Sequence, residues 1–527
     1  DFKGVVDLLK MKALLFPVGA KTFTVTEIPA DMASAAQSAR ETLVEDAAEG
    51  DDALTEEFLE GKPLTPEEID RGLNEDMMSG KFIPVLCGCA NRPACAAALL
   101  DFIIEVMPHA GERVTAVGFE PGFPDKTLTR DPKADAPFSA FIFKTMIDQY
   151  AGRFSFFRIQ SGTVSSEQDV LNVNLNRKER LSHLYALQGK KPVEVPRGVA
   201  GDILAVAKLD SVHTSQTLAD LAQPIEYPPL RLPQAVYSIA VAPVKKADEG
   251  KMGTVLGKLC EEDPTLIFRF EPETHQSLLS AMGDVQLDMA LSKLKKKFNV
   301  DVERGLPRVL YKETIQKPAS GHHKHKKQTG GHGQYGDVYL DIAPVSRGEG
   351  YRFEDHIVGG VIPKGYLPGI EKGVKQALER GVLAGYPVID VLVKVVDGSY
   401  HDVDSSEMSF KIAGRTAFKD AMGKASPILL EPVMEVSIFA DDSYMGGITS
   451  DLNSRRGRIL SMGTGEIKAH VPQADLLNYS KDLKAITSGT ASYEMAFSHY
   501  QPISGRIAEN VIKEAAILHG EIKEEED

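Results

Sequence analysis

Two polar segments carry the side chains in this sequence that are most capable of chemistry. The first, GSYHDVDSSE at 398–407, interrupts an apolar run with a tyrosine, a histidine and two aspartates. The second, GHHKHKKQTGGHGQYGDVYLDI at 321–342, passes from a basic, histidine-rich stretch into a glycine-rich one. Such residues could form an acid–base cluster, a metal site or a surface that contacts another molecule.

Acid–base catalysis is the least favoured of these chemistries. His401 and Asp402 are adjacent, and neighbours on an extended backbone point to opposite sides, so they make a poor base and orienting pair. The sequence contains no serine-elbow, zincin or paired-cysteine motif. It also contains no GxxxxGK[ST] phosphate loop, so the chain as given should not hydrolyse a nucleotide.

Three interpretations compete for the second segment. A metal site could use its histidines, but no carboxylate or cysteine lies at a matching spacing; these histidines are His322, His323, His325 and His332. A solvated loop without a role is the second. RNA contact is favoured because the lysines are basic within an acidic protein, Tyr335 can stack on a base, and the glycines allow close approach.

The cysteines give a weaker signal. Cys87, Cys89 and Cys95 cluster in CGCANRPAC, but a fourth zinc ligand at a metal-like spacing is missing. Small buried thiols are the preferred interpretation. Four cysteines in the whole chain, without a disulfide-like framework, favour a reducing cytoplasm.

Composition limits the partners. A net charge of −15 over 527 residues argues against a protein that coats nucleic acid generally, so any RNA contact must be concentrated at a local basic surface. No apolar run approaches the roughly 18–20 residues of a membrane span, and the start lacks the layout of a signal peptide. We expect a cytoplasmic protein without a membrane partner.

The elements that position the two segments follow from periodicity. An apolar run, FIPVLCGCA at 82–90, predicts a strand within a mixed α/β region. Short, evenly spaced strands after Pro137 predict an antiparallel β-barrel. Two blocks with a strand–helix–strand–strand–helix–strand rhythm predict ferredoxin-like α/β sandwiches, which flank a protruding α/β domain. The predicted boundaries are 1–108, 109–228, 229–312, 313–427 and 428–505, with a C-terminal helix and acidic tail at 506–527.

In the protruding domain, residues 398–404 are predicted to form an exposed loop between a strand and a helix. The strand carries Ile389, Val391, Val393 and Val395 on one face. Asp404 and Glu407 are spaced as an acidic form of the capping box, which predicts the start of the next helix.

The sequence resembles bacterial elongation factor G, a translational GTPase, over nearly its whole length. The resemblance rests on FFRIQSGTV, LCEEDPT, QTGGHGQYGDV, GGVIPKGYLPGIEKG, the long run GVLAGYPVIDVLVKVVDGSYHDVDSSEMSFKIA, and YMGGITSDLNSRRGRI. It implies a factor that moves transfer RNA and messenger RNA through the ribosome. The abrupt start at Asp1 favours a fragment that begins inside the nucleotide-binding domain.

The resemblance also implies roles for residues. Residues 1–108 would be the C-terminal part and insert of the GTP-binding domain, with Cys89 and Ala90 near the guanine base. The complete protein would use GTP and Mg²⁺, and this chain alone would need neither. The ribosome, through ribosomal RNA, tRNA and mRNA, is the implied partner of a monomer. The tip of the protruding domain would contact RNA through Gln328, Gly330, Gly331, His332, Gly333, Gln334, Tyr335, Ser399, Tyr400, His401, Asp402 and Val403. A secondary ribosomal RNA contact would use Arg455, Arg456 and Arg458.

Departures from the family pattern leave alternatives open. His332 stands where the family usually has arginine, and GDVQLD at 283–288 replaces a usual Gly-Glu-Leu-His-Leu-Asp. A paralogue that acts in ribosome recycling or ribosomal protection is one alternative, and a metal-binding protein that uses the His-rich loop is another. Several histidines at the tip also suggest that affinity rises on mild acidification, because histidine changes charge near pH 6.5.

Overall fold

The computed structural model describes residues 2–112, 115–148, 152–189, 191–209, 211–329 and 332–525. The chain divides into two compact units, residues 1–231 and 232–527.

The first unit begins with a small antiparallel sheet and four helices. The strands are β1 (Gly4–Asp7), β2 (Lys12–Leu15) and β3 (Thr24–Thr26), and the helices are α1 (Ala33–Glu49), α2 (Asp52–Leu59), α3 (Pro66–Ser79) and α4 (Pro93–Val106). Thr65 caps α3 in a reciprocal capping box with Glu68, and Pro66 supplies a pre-set first turn. A small core of Ala47, Ile69 and Leu73 joins α1 to α3.

The strand predicted at 82–90 is wrong: this segment pairs with no strand in the part of the chain that the structure describes. Val85 is 88% exposed, and Ile104 on the following helix is 79% exposed. Cys87 is exposed as well, so the interpretation of these cysteines as buried thiols is wrong for this residue. An apolar sequence favours burial, but it forms a strand only where a neighbouring strand supplies hydrogen-bonding partners.

One helical stretch, Pro93–Glu112, is long and apolar enough to cross a membrane, with a mean hydropathy of 1.4. No apolar run of this length was expected from the sequence. The α-helix itself ends at Val106, and its fourteen residues would rise only about 21 Å, short of a hydrocarbon core of about 30 Å. The stretch is therefore a weak indication of a membrane span.

The second part of this unit is built from short antiparallel strands. They are β4 (Ala116–Glu120), β5 (Phe123–Arg130), β6 (Ser139–Asp148), β7 (Gly152–Ser161), β8 (Thr163–Ser165), β9 (Gln168–Asn172), β10 (Arg177–Leu181), β11 (Leu184–Gln188), β12 (Lys191–Val195), β13 (Arg197–Val199), β14 (Ile203–Ala207) and β15 (Thr217–Ala219). Eight of them form a sheet in the order β10-β9-β15-β6-β7-β14-β11-β12. Alternating residues such as Phe157 and Ile159 fill its core.

The second unit opens with a four-stranded antiparallel sheet and two helices. The elements are β16 (Tyr237–Pro243), α5 (Glu249–Glu262), β17 (Ile267–Glu271), β18 (Gln276–Ala281), α6 (Asp284–Phe298) and β19 (Val302–Gly305). The sheet order is β17-β18-β16-β19, and one apolar face of each helix packs on it. The predicted alternation of strands and helices is found here.

The middle of the second unit holds both polar segments. Its elements are β20 (Lys312–Ile315), β21 (Ala319–Thr329), β22 (His332–Pro344), β23 (Tyr351–Asp355), α7 (Leu367–Leu378), β24 (Val391–Ser399) and α8 (Glu407–Lys424). Strands β21-β22-β24-β23 form one sheet, and α7 and α8 cover one face of it. Gly321 lets α8 approach β21, since a Cβ there would lie 2.1 Å from the carbonyl oxygen of Ala417.

The last part continues from α8 into β25 (Pro427–Phe439), α9 (Met445–Ser454), β26 (Arg458–Gly463), β27 (Glu466–Pro472), α10 (Gln473–Leu476), α11 (Tyr479–Ile486), β28 (Ser492–Ile503) and α12 (Gly505–Glu525). Strand β25 pairs with β20, β27 and β28. The strands that enter and leave the middle domain therefore pair with each other. Beside them the fully buried Glu313 accepts backbone N–H bonds from Leu383, Ala384 and Tyr386.

Candidate nucleic-acid interface

The two polar segments meet at one end of the β21-β22-β24-β23 sheet. Strand β22 pairs with β21 from Ala319↔Ile342 to Thr329↔His332, so the second segment is a long hairpin. The same strand pairs with β24 on its other side, where Asp337 faces Ser399. Because β24 ends at Ser399, the loop that follows it lies beside the end of the hairpin.

Backbone and side-chain hydrogen bonds fasten the loop to the hairpin. The N–H of Gly333 donates to Asp404 Oδ1 at 3.0 Å, and the N–H of Tyr335 donates to the Asp404 carbonyl at 2.8 Å. The Ser405 hydroxyl donates to the Tyr335 carbonyl at 3.0 Å. A Cβ at Gly333 would lie 2.9 Å from the Asp404 carboxyl carbon, so any larger residue there would have to displace this carboxylate. The two segments form one unit, which we call the tip.

A second set of contacts within the tip centres on Asp337. The Tyr335 hydroxyl is 2.7 Å from Ser399 Oγ, which donates to Asp337 Oδ2 at 2.9 Å. His322 Nε2 is 2.8 Å from the other oxygen of Asp337. The buried carboxylate thus connects both strands that flank β22. The imidazole of His322 also stacks on Tyr339 at 3.9 Å.

The lysines and histidines of β21 alternate between two faces. Lys324 lies over the Tyr335 ring at 5.2 Å, and the contact with the Tyr335 hydroxyl raises the lysine pKa, so this charge is retained. His323 lies on the opposite face, where burial and then the nearby His325 and His322 lower its pKa. His323 is therefore neutral at neutral pH. This lowered pKa makes His323 a weak candidate for the predicted acid-induced gain in affinity, which stays a prediction.

The predicted tip residues are distributed as follows. Gly330 and Gly331 lie outside the described residues, and only the backbone of His332 is described. Gln334 bonds to His325 at 2.9 Å. Gln328, Tyr400, His401, Asp402 and Val403 are exposed, whereas Ser399 and Tyr335 are partly buried in the network. Tyr335 and His401 have ring centres 6.2 Å apart.

Sequence reasoning missed the residues that hold the tip together. Asp404 was assigned to a capping box, but helix α8 begins at Glu407, and its cap is the Ser406 hydroxyl, which accepts from the N–H of Ser409. The Asp404 carboxylate instead binds the hairpin. The spacing Asp404-Ser405-Ser406 offers three side chains that could cap, and the sequence alone does not rank them.

The arrangement can bind a nucleic acid without reacting with it. It offers the exposed ring of Tyr400 for stacking, the imidazole of His401, and lysines on both faces of β21. Among the described residues no group of three or more His, Cys, Asp and Glu side chains is arranged to hold a metal ion. The histidines of β21 instead contact Asp337, Gln334 and Tyr339.

Four segments of the chain match family descriptions of elongation factor G. They are domain 2 at residues 137–221, domain III at 232–305, domain IV at 307–426 and the C-terminus at 428–511. The chain belongs to the elongation factor G family. A crystal structure of a protein from Thermus thermophilus is similar over 98% of this chain and 75% of that chain, with 36% identity and a TM-score of 0.79. Both tip segments lie within the elongation factor G domain IV match.

The arginines predicted as a secondary RNA contact lie in the elongation factor G C-terminal match. Arg455 pairs with Asp451 and Asp482 and is 17% exposed. Arg456 pairs with the buried Glu431 and with Asp475. For Arg458, no side-chain hydrogen bond or ion pair occurs within the described ranges. The contact with RNA stays a prediction, and Arg458 is the member of the three that is free to make it.

Cys89 and Ala90, predicted near a nucleotide, line a cavity of about 790 Å³ in the first unit. Apolar side chains dominate the lining, which includes Phe16, Leu43 and Phe102. This lining offers no glycine-rich cradle of N–H groups for phosphates. The residues present therefore do not by themselves fit GTP with Mg²⁺.

Proposed function

We propose that this chain is the ribosome-binding portion of a translation elongation factor that promotes the movement of tRNA and mRNA. The observation that carries the proposal is the tip, where Gly333 N–H and Asp404 Oδ1 join two exposed segments into one surface. Its task is steric and electrostatic: aromatic and donor groups contact RNA and oppose its backward movement. GTP hydrolysis would drive this movement in the complete protein, in the cytoplasm.

The resemblance to elongation factor G supports the domain boundaries expected from the sequence. In that assignment the strands of 109–228 close into a barrel. Residues 229–312 and 428–505 form ferredoxin-like sandwiches, with the protruding domain 313–427 between them in the chain. The tip then stands at the end of a rigid α/β domain, since α7 and α8 pack on its sheet through a core that includes Ile370, Val393 and Phe410. A rigid support lets a small surface transmit force to RNA.

A matched pair of variants tests the proposal. His401→Ala removes an exposed imidazole at the tip, whereas His356→Ala removes an exposed imidazole that pairs with Glu354 outside both tip segments. In the complete protein we expect the first to slow tRNA movement by about tenfold, the value of one lost hydrogen bond of about 1.4 kcal/mol. Ribosome-stimulated GTP hydrolysis should change little in either variant.

Equal loss of movement and hydrolysis in His401→Ala would contradict a mechanical tip. Gly333→Val supplies a second test, because its Cβ would displace the Asp404 carboxylate and should slow the same step. Ribosome splitting by the wild-type protein without movement of tRNA would favour the recycling alternative. A chain that does not bind ribosomes would refute the proposal.

We further propose that the apolar surface of the first unit packs against the remainder of a nucleotide-binding domain. Val85 and Ile104 are large apolar side chains that lie almost fully in solvent, as is typical of a surface that another part of a protein covers. Residues 82–90 also have the sequence of a strand but no pairing partner among the described residues. GTP and Mg²⁺ are therefore proposed only for the complete protein. Binding of a hydrophobic dye should be strong for this chain and weak for the complete protein; equal binding would contradict the proposal.

A further inference from the structure

The ring of His401 is held by its own loop. The backbone N–H groups of Val403 and Asp404 each donate to His401 Nδ1 at 3.3 Å. A ring nitrogen that accepts a hydrogen bond uses its lone pair and carries no proton. In a neutral imidazole the proton is then on Nε2, at the outer end of the ring.

One nearby group favours the opposite tautomer. Asp404 Oδ2 lies 3.5 Å from His401 Nδ1, and a carboxylate would attract a proton on that nitrogen. This distance is longer than an ordinary N–H···O bond. The other oxygen of Asp404 already accepts the Gly333 N–H at 3.0 Å. A proton on Nδ1 would also face two N–H donors, so the backbone amides decide the tautomer.

The loop that supplies these amides is itself fixed. His401 N–H donates to Ser405 Oγ at 2.8 Å, and Ser405 N–H donates back to the His401 carbonyl at 3.1 Å. Ser405 Oγ in turn donates to the Tyr335 carbonyl. Residues 401–405 therefore form a closed turn that is tied to the hairpin, and the ring does not have to be ordered when a partner arrives.

We propose that His401 is held as the Nε2–H tautomer by the backbone N–H groups of Val403 and Asp404, and that it presents one N–H donor to a hydrogen-bond acceptor on RNA. The acceptor class includes phosphate oxygens, ribose 2′-hydroxyls and base carbonyl oxygens. The His401 side chain is 55% exposed, so a partner can reach its outer nitrogen. The identity of the acceptor as RNA rests on the proposed function, whereas the tautomer does not.

The tautomer is measured on the free chain. Nitrogen NMR of the chain labelled in its 13 histidines, compared with His401→Ala, identifies the His401 signals. At about pH 8 an unperturbed imidazole is neutral. We expect a protonated Nε2 and an unprotonated Nδ1, both in the wild type and in Asp404→Asn, whose amide oxygen can still accept the Gly333 N–H. A proton on Nδ1 in the wild type would overturn the proposal.

Two amide variants test the donor in the complete protein. In His401→Gln the side-chain amide reaches about as far as Nε2, whereas in His401→Asn it reaches only about as far as Nδ1. We expect His401→Gln to keep tRNA movement within about twofold and His401→Asn to slow it about tenfold. Equal rates for the two variants would overturn the proposal. If the protein does not bind ribosomes, the proposed function fails and the NMR result alone decides the tautomer.

Discussion

Replacing Arg455 with alanine should destabilise the C-terminal domain rather than weaken RNA binding directly. Its guanidinium donates to both Asp451 oxygens, to Asp482 Oδ2 at 2.7 Å and to the Asp475 carbonyl at 2.8 Å. It also lies 5.2 Å from the centre of the buried Tyr479 ring. These contacts connect the end of α9 to α10 and α11, so one side chain joins three helices.

The expected loss of stability in Arg455→Ala depends on how deeply each ion pair of Arg455 is buried. Breaking a buried ion pair costs about 3–5 kcal/mol, whereas an exposed pair contributes about 0–1 kcal/mol. The Asp451 carboxylate is mostly buried beside the arginine, but Asp482 is 46% exposed and counts little. Arg455→Ala, which leaves Asp451 without its partner, should therefore cost about 3 kcal/mol.

Hydrogen exchange is the suitable assay, because a multidomain chain does not unfold in a single two-state step. Amides of α9 and α11 should exchange about 100-fold faster in Arg455→Ala, the equivalent of about 3 kcal/mol. Arg458→Ala is the control, and its exchange should change less than about twofold. If RNA binding uses Arg458, that variant should lose ribosome affinity with a reduced dependence on salt. Unchanged exchange in Arg455→Ala, together with lost ribosome affinity, would refute this reasoning.

Three further outcomes are expected. Gly321→Ala should destabilise domain IV by about 2–3 kcal/mol, because its Cβ meets the Ala417 carbonyl; unchanged exchange in β21 and α8 would contradict this. Glu313→Gln should speed hydrogen exchange in the paired strands β20 and β25, since its amide would face the Leu383 N–H at a cost of about 1–3 kcal/mol; unaltered exchange there would argue against it. Asp263→Asn should make domain III less sensitive to acid, as acid-unfolding curves would report.

The sign of the Asp263 effect follows from its pKa. Burial alone would raise the pKa of this carboxyl, but hydrogen bonds from Thr265 and Gln286 outweigh burial and hold the pKa below its ordinary value. The stabilisation is then complete above the unfolded pKa, near 3.9, and is lost as the pH falls through the lower folded value. Asparagine does not titrate, so its variant should lack this loss. Identical acid curves would mean that Asp263 does not contribute.

Local periodicity was enough to predict most helices and strands of the second unit. The helix at α6 and the strand β24 follow from apolar residues at regular spacing, such as Leu287, Leu291 and Leu294. The same method wrongly predicted a strand at 82–90. An apolar run indicates that the side chains favour burial, but it does not indicate that a neighbouring strand is present. Pairing is a property of the rest of the domain.

The structural role of Asp404 could not be predicted from the sequence for a different reason. A carboxylate before a helix predicts a cap, and the local pattern around Glu407 satisfied that rule. Its actual partner, the N–H of Gly333, is 71 residues away in the chain. Only the pairing of β22 with both β21 and β24 brings them together, and no local pattern contains this information.

The acidic residues near the tip need not repel RNA. Asp337 accepts from the Ser399 hydroxyl and lies beside His322 and Lys324, and Asp404 accepts the Gly333 N–H. Their charge is directed inward, toward donors that hold the two segments together. Lys324 keeps its charge at the surface, since the Tyr335 hydroxyl raises its pKa. A protein with a net charge of −15 can therefore present a locally attractive surface to phosphate, because Asp337 and Asp404 are used for structure and only the exposed Asp402 of the two predicted tip segments 328–335 and 399–403 adds a free carboxylate among their described residues.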